Sequence, residues 1–303
     1  MGLSRAAIRF LVREHRRRPF GPSLLTLGRQ FVYADFQEIL EICRQEGLQT
    51  SPLPPDVSPH TNIPEWKDSI RGRKASDIGF FHLLGIHSVQ ALDVSSFEGA
   101  EVVCDLNQPI GDQLVNGFDT VVDAGTLEHV FDIRTALMNV NRMLKPSGRI
   151  LHIGPCNNYA NHGFYQFGPT LYLDYYRVNH YRDIRVFVAE ETSSAYEHSA
   201  WNLFEIQPHR QPVVMESRRR LLVIGHAEKQ SDSTVDKIPV QSYYRTMWDA
   251  GDSDRESSAP AESPSAAQRI KYLVPLKIRH FVRTCWGRRH GKPWGSLGRG
   301  RLS

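Results

Sequence analysis

Cysteine is scarce in this chain. Its 303 residues hold four, Cys43, Cys104, Cys156 and Cys285, with no Cys-x-x-Cys pair and no metal-ligand spacing. A disulfide framework and a zinc site are therefore not expected; reduced thiols are. Long apolar runs are missing as well, so no transmembrane helix is expected. The first residues, LSRAAIRFLVREHRRR, lack the apolar stretch and small-residue cleavage site of a secretory signal. A cytoplasmic location is the expectation that follows. There is no internal repeat, and the Gly-x-Gly-x-x-Gly fingerprint of a dinucleotide site is absent. Net charge is also small, at +4, which excludes a uniformly basic nucleic-acid binder.

That small total hides a division. Residues 1–20 carry a net +5 and residues 268–303 a net +10, leaving −11 on the body between them. Apolar residues make up 40% and charged residues 23%, which suits a globular protein. Four segments follow from composition: a basic helix in 1–20, one α/β domain in 21–227, a partly disordered linker in 228–267, and a basic, aromatic tail in 268–303. In the tail, apolar residues such as Tyr272, Leu276, Phe281 and Trp286 interleave with the cations. That mixture suits peripheral contact with an anionic membrane. Oligomeric state is not legible.

Within the body, short apolar runs alternate with helical patterns. Ser23–Leu27 reads as a buried strand stopped by Gly28. Asp35 and Glu38 form a capping box before a helix. Residues 48–66 hold five prolines and read as an irregular insert. Asp77 reads as the cap of a helix over Ile78–Leu84. Strands are expected over 89–94, 100–106, 118–123, 149–153, 184–188 and 221–225, with helices over 126–144 and 171–178. The pattern predicts a Rossmann-like open, mostly parallel sheet with helices on both faces.

Such sheets bind ligands outside the carboxyl ends of their strands, where strand order reverses. Those ends present Gly28-Arg29-Gln30, Asp93, Asp105-Leu106, Asp123-Ala124-Gly125 and Gly154-Pro155. The set suits an adenosine-containing cofactor. Gly28 permits close backbone approach. Asp93 can accept the ribose hydroxyls and Asp105 the adenine amino group. Ala124 and Gly125 leave room for a cleft, which Asp123 either lines or adjoins as a helix cap.

The stretch FDTVVDAGTLEHVFDIRTALMNVNRMLKPSGRILHIGP, preceded by CDLNQPIGDQLVNGFD, resembles class I S-adenosylmethionine-dependent methyltransferases of the type 11-like kind. The resemblance covers about residues 23–226. It implies the class I methyltransferase fold, S-adenosylmethionine as cofactor, and methyl transfer to a small-molecule, glycan or lipid-linked acceptor. Two departures stand out. In LLTLGRQFVYAD, Thr26 replaces the first motif's acid and Gln30 its second glycine, which leaves Arg29 to pair with the cofactor carboxylate. Only residues 94–99 separate the strands ending at Asp93 and Asp105, too few for a crossover helix, so the second of these is expected as a short edge piece. The alternative reading is a binding protein on this fold that has lost the cofactor.

Three residues are candidates for catalysis: His129 as a general base, and His162 and Tyr165 in the amide- and aromatic-rich loop 157–167, which reads as a substrate lid. Glu128 is expected to complement a helix N-terminus. His152, mid-strand, is expected as a satisfied core residue.

Overall fold

The computed structural model describes residues 2–61, 73–193, 195–207 and 215–248, and the backbone of 299–302. Its elements run α1 (Arg5–Arg17), β1 (Ser23–Leu27), α2 (Phe36–Gln45), α3 (Asp77–Leu83), β2 (Ser88–Asp93), β3 (Val102–Val103), β4 (Phe118–Ala124), α4 (Ile133–Met143), β5 (Leu144–Asn157), α5 (Pro169–Val178), β6 (Arg182–Glu191), β7 (Trp201–Ile206), β8 (Leu221–Glu228) and β9 (Arg299–Leu302). The sheet order is β3-β2-β1-β4-β5-β8-β6-β7-β9. Strands β1 to β5 are mutually parallel, β8 runs antiparallel between β5 and β6, and β7 and β9 extend the far edge in alternating directions. From β1 the chain steps outward to β2 and β3, then returns to β4 on the other side. The order therefore reverses between β1 and β4.

Period-two alternation sorts each central strand between two cores. Leu24, Val122, Ala124, Leu151, Ile153, Leu222 and Ile224 face one core, with α1, α2 and α3. Leu25, Leu27, Val121, Ile150 and Val223 face the other, with α4 and α5. Both faces of the sheet are covered, as the resemblance implied. Asp35 and Glu38 form the expected capping box. The edge piece at β3 is two residues long, as the short connection required.

Several expectations are corrected. The N-terminal helix is not an appendage: Leu3, Ala7, Ile8, Phe10, Leu11 and Val12 are buried in the first core. Its arginines are used internally, with Arg5 on Glu38, Arg9 and Arg13 on Glu46, Arg17 on Asp183, and Arg18 on Glu228. They are not a free basic surface. Ser76, not Asp77, caps α3, because Asp77 points inward to accept from the Gln30 amide at 3.0 Å. The single helix expected over 126–144 is a short 3₁₀ turn at Leu127–His129 followed by α4, which has its own cap, Asp132. Strand β7 was not legible in the sequence.

Residues 229–237, expected as linker, pack against the body. Lys229 Nζ donates to the carbonyls of Asn141 and Leu144, and Tyr175 donates to the carbonyl of Val235. Residues 242–248 are helical and belong to a second compact unit. The tail 268–303, with its expected membrane contact, lies outside the described residues except for the backbone of β9. No helix among the described residues is long and apolar enough to cross a membrane.

Candidate functional site

The site sits where β1 and β4 end. Gly28 follows β1 at φ +71°, a left-handed conformation that favours glycine. A side chain there would meet Thr126 Oγ1 at 3.2 Å and Asp93 Oδ2 at 3.7 Å. Thr126 Oγ1 donates to the Leu27 carbonyl at 2.7 Å, tying the exits of β4 and β1 together. Gly28, Asp93 and the Ala124-Gly125 exit thus converge, as the strand-end argument required.

The other expected cofactor residues behave differently. Arg29 is committed within the protein: its guanidinium pairs with Asp77 and Glu101 and donates to the Gly99 carbonyl at 2.7 Å. Burial nonetheless raises Asp77 above the usual carboxylate range, outweighing Arg29. Gln30 is buried and folds back, its Nε2 donating to the carbonyls of Leu27 at 2.7 Å and Gly28 at 3.3 Å. It fills the turn that a second glycine would leave open. Asp105 is exposed and closes its own turn, accepting from Asn107 N and Nδ2. Leu106 is buried in the second core.

Asp123 does not line the cleft. Its Oδ1 accepts from Thr126 N at 3.1 Å and Leu127 N at 3.3 Å, capping the 3₁₀ turn. Its Oδ2 lies 2.9 Å from His152 Nδ1, and His152 Nε2 lies 2.6 Å from the Tyr176 hydroxyl. His152 is the satisfied core histidine expected of it.

Glu128 departs most from expectation. No long helix begins there, and its side chain is fully buried. Neither carboxylate oxygen has a hydrogen-bond partner among the described residues. Burial, with the nearby Asp123 charge adding to it, pushes Glu128 up to about 7. His162 Nε2 stands 3.4 Å from Glu128 Oε1 and His129 Nε2 stands 3.8 Å away. The two imidazoles meet edge to face at 5.0 Å. Burial lowers both below the ordinary histidine range, so both are neutral at neutral pH.

The loop carrying His162 is pressed onto Glu128. The Glu128 carbonyl accepts from Phe164 N at 2.7 Å, and Gly163, at φ +71°, allows this approach. A Cβ on Gly163 would lie 2.7 Å from that carbonyl oxygen and 2.9 Å from Glu128 Cγ. Tyr165 is not free for chemistry: its hydroxyl donates to the Phe131 carbonyl at 2.7 Å, and its ring stacks on Phe167. Phe131 and Phe164, both exposed, meet edge to face at 5.5 Å beside the cluster. Sequence reasoning selected His129 and His162 but gave Glu128 a helix-end role. The signal available was a carboxylate next to a histidine at a strand exit.

No family model matches the chain, and no curated protein does. Solved structures do match. A SAM-dependent methyltransferase from Archaeoglobus fulgidus aligns over 75% of this chain and 95% of its own, at 13% identity and a TM-score of 0.38. The 1,6-didemethyltoxoflavin N1-methyltransferase of Burkholderia thailandensis aligns over 75% and 80%, at 13% identity and 0.34. A 16S rRNA methyltransferase of T. thermophilus aligns over 76% and 41%, at 14% and 0.33. Scores this low carry no argument. The chain has a Rossmann-like open sheet, mostly parallel and covered on both faces, which is the architecture that the resemblance implied.

Proposed function

We propose that this chain transfers a methyl group from S-adenosylmethionine to a small-molecule, glycan or lipid-linked acceptor. The observation that carries this reading is the convergence of Gly28, Asp93 and the β4 exit at the point where strand order reverses. When bound, the cofactor supplies an electrophilic methyl on a sulfonium. Asp93 would hold the ribose hydroxyls, and Asp105 the adenine edge. Phe131 and Phe164 offer exposed aromatic faces to the acceptor. Where the acceptor must lose a proton, the Glu128–His129–His162 cluster is the group placed to take it.

The residues fit the adenosine half of the cofactor better than its methionine half. Arg29 is already paired, and Gln30 occupies the turn. That observation favours a second reading, a binding protein on this fold that no longer holds the cofactor. Calorimetric titration with S-adenosylmethionine separates the two. The enzyme reading expects micromolar binding, weakened at least tenfold in Asp93→Asn by loss of charge-assisted hydrogen bonds. It also expects about 2.7 kcal/mol of added stability at a hundredfold excess over Kd. Absence of both heat and thermal shift establishes the second reading instead.

A further inference from the structure

A buried carboxylate without a partner is costly unless it is neutralised or given a counter-charge. Glu128 is in that position: fully buried, with both oxygens lacking a hydrogen bond among the described residues. His162 Nε2, which faces it at 3.4 Å, is also buried without a hydrogen bond. His129 Nε2 completes the group at 3.8 Å, and the three donor atoms lie within 4.8 Å of one another.

We propose that Glu128, His129 and His162 bind one divalent transition-metal ion of the zinc class. Two imidazole nitrogens and one carboxylate oxygen form a donor set such ions take while keeping a coordination position open. Magnesium and calcium prefer oxygen donors, so two imidazoles argue against them. Tetrahedral bonds of about 2.0–2.1 Å set donors roughly 3.4 Å apart. The Glu128–His162 separation already meets that figure, and partly exposed His129, 3.8 Å from Glu128 and within 4.8 Å of His162, closes the set by moving inward. His129 is half-exposed and forms the solvent side of the group, while His162 Nε2 and both Glu128 oxygens are buried. The ion takes the place of a proton in the cluster and gives the Glu128 oxygens the direct partner that no described residue supplies. Its ligands are two neighbours on a turn and a third on a distant loop, which the close approach of Gly163 to Glu128 brings together.

The proposal does not depend on methyl transfer, and its test uses no S-adenosylmethionine. The full chain, stripped with chelator, is titrated with Zn²⁺ by calorimetry and by competition against a chromogenic chelator. Histidine ring ¹⁵N resonances are followed alongside. The expected result is one ion per chain, with the Nε2 signals of two histidines shifted and those signals lost in His129→Asn and His162→Asn. Glu128→Gln, which keeps the shape and removes the charge, should weaken binding by at least about tenfold. Near-ultraviolet circular dichroism verifies that each variant is folded. His180→Asn, at a half-exposed histidine beside Asp232, should change nothing. A wild-type chain that binds no ion overturns the proposal. So does zinc binding that survives unchanged in Glu128→Gln and His162→Asn.

Discussion

At the amino ends of the strands, Glu14 accepts two hydrogen bonds from Arg185, and Glu228 pairs with Arg18 and Arg182. At the carboxyl ends, Glu128 is as deeply buried and has no hydrogen bond among the described residues. Both glutamates feel the same desolvation, which raises a carboxyl pKa. For Glu14 that push is overcome by Arg185, and the group sits below its ordinary range. For Glu128 it is not overcome, and the group rises to about 7. One end of the sheet is closed by completed ion pairs. The other keeps a charge that something else must complete, and a fold tolerates that chiefly where a ligand acts.

Acid-to-neutral substitutions break this comparison most directly. Glu14→Ala should cost about 3 kcal/mol or more in denaturant unfolding, because it leaves the partly buried Arg185 only its longer pair with Asp183, at 3.4 Å. An effect under about 1 kcal/mol would place this pair with ordinary surface bridges. Gly163→Ala should come next, at roughly 1–3 kcal/mol, since it forces a side chain into positive φ against Glu128. It should also separate His162 from Glu128, visible as loss of contacts between the two histidine rings by NMR. Glu128→Gln should have the opposite sign from Glu14→Ala. In chelator-treated protein at neutral pH it should stabilise by about 1–2 kcal/mol, because the amide carries no buried charge. Destabilisation would mean that the carboxylate is already satisfied.

The effect smallest at neutral pH concerns histidine at the paired end. Burial holds His15 and His226 at about 4, below the ordinary 6.5. The unfolded chain therefore binds more protons between those values. Stability should be full above pH 6.5 and fall as pH drops towards 4. His15 Nδ1 accepts from Phe20 N at 3.3 Å, which requires the neutral ring. His15→Gln keeps an acceptor that cannot protonate, and should flatten the slope measured by thermal unfolding from pH 7 to 4.

The paired end shows where sequence reading goes astray. Six arginines in the first 20 residues look like a basic patch. Their partners, Glu38, Glu46, Asp183 and Glu228, stand far along the chain, so only folding shows that the charges are used internally. The unpaired end is read more successfully. Gly28, Asp93 and the β4 exit were legible because strand ends are marked by local pattern, and parallel strands align those ends. Thr26 and Gln30 were marked as departures. Arg29, expected on the cofactor carboxylate, is paired within the protein instead, and this was not legible because Asp77 and Glu101 lie far from it along the chain.

By itself, then, the sequence determined the alternation of strands and helices and the two-sided burial of the sheet. These follow from local periodicity, caps and turn residues, which act over a few positions. Tertiary structure alone decided which charges are completed. Whether a carboxylate is neutralised depends on groups brought near it from distant segments, and on how much water is removed when they meet. Glu14 met a guanidinium there, and Glu128 met two neutral imidazoles.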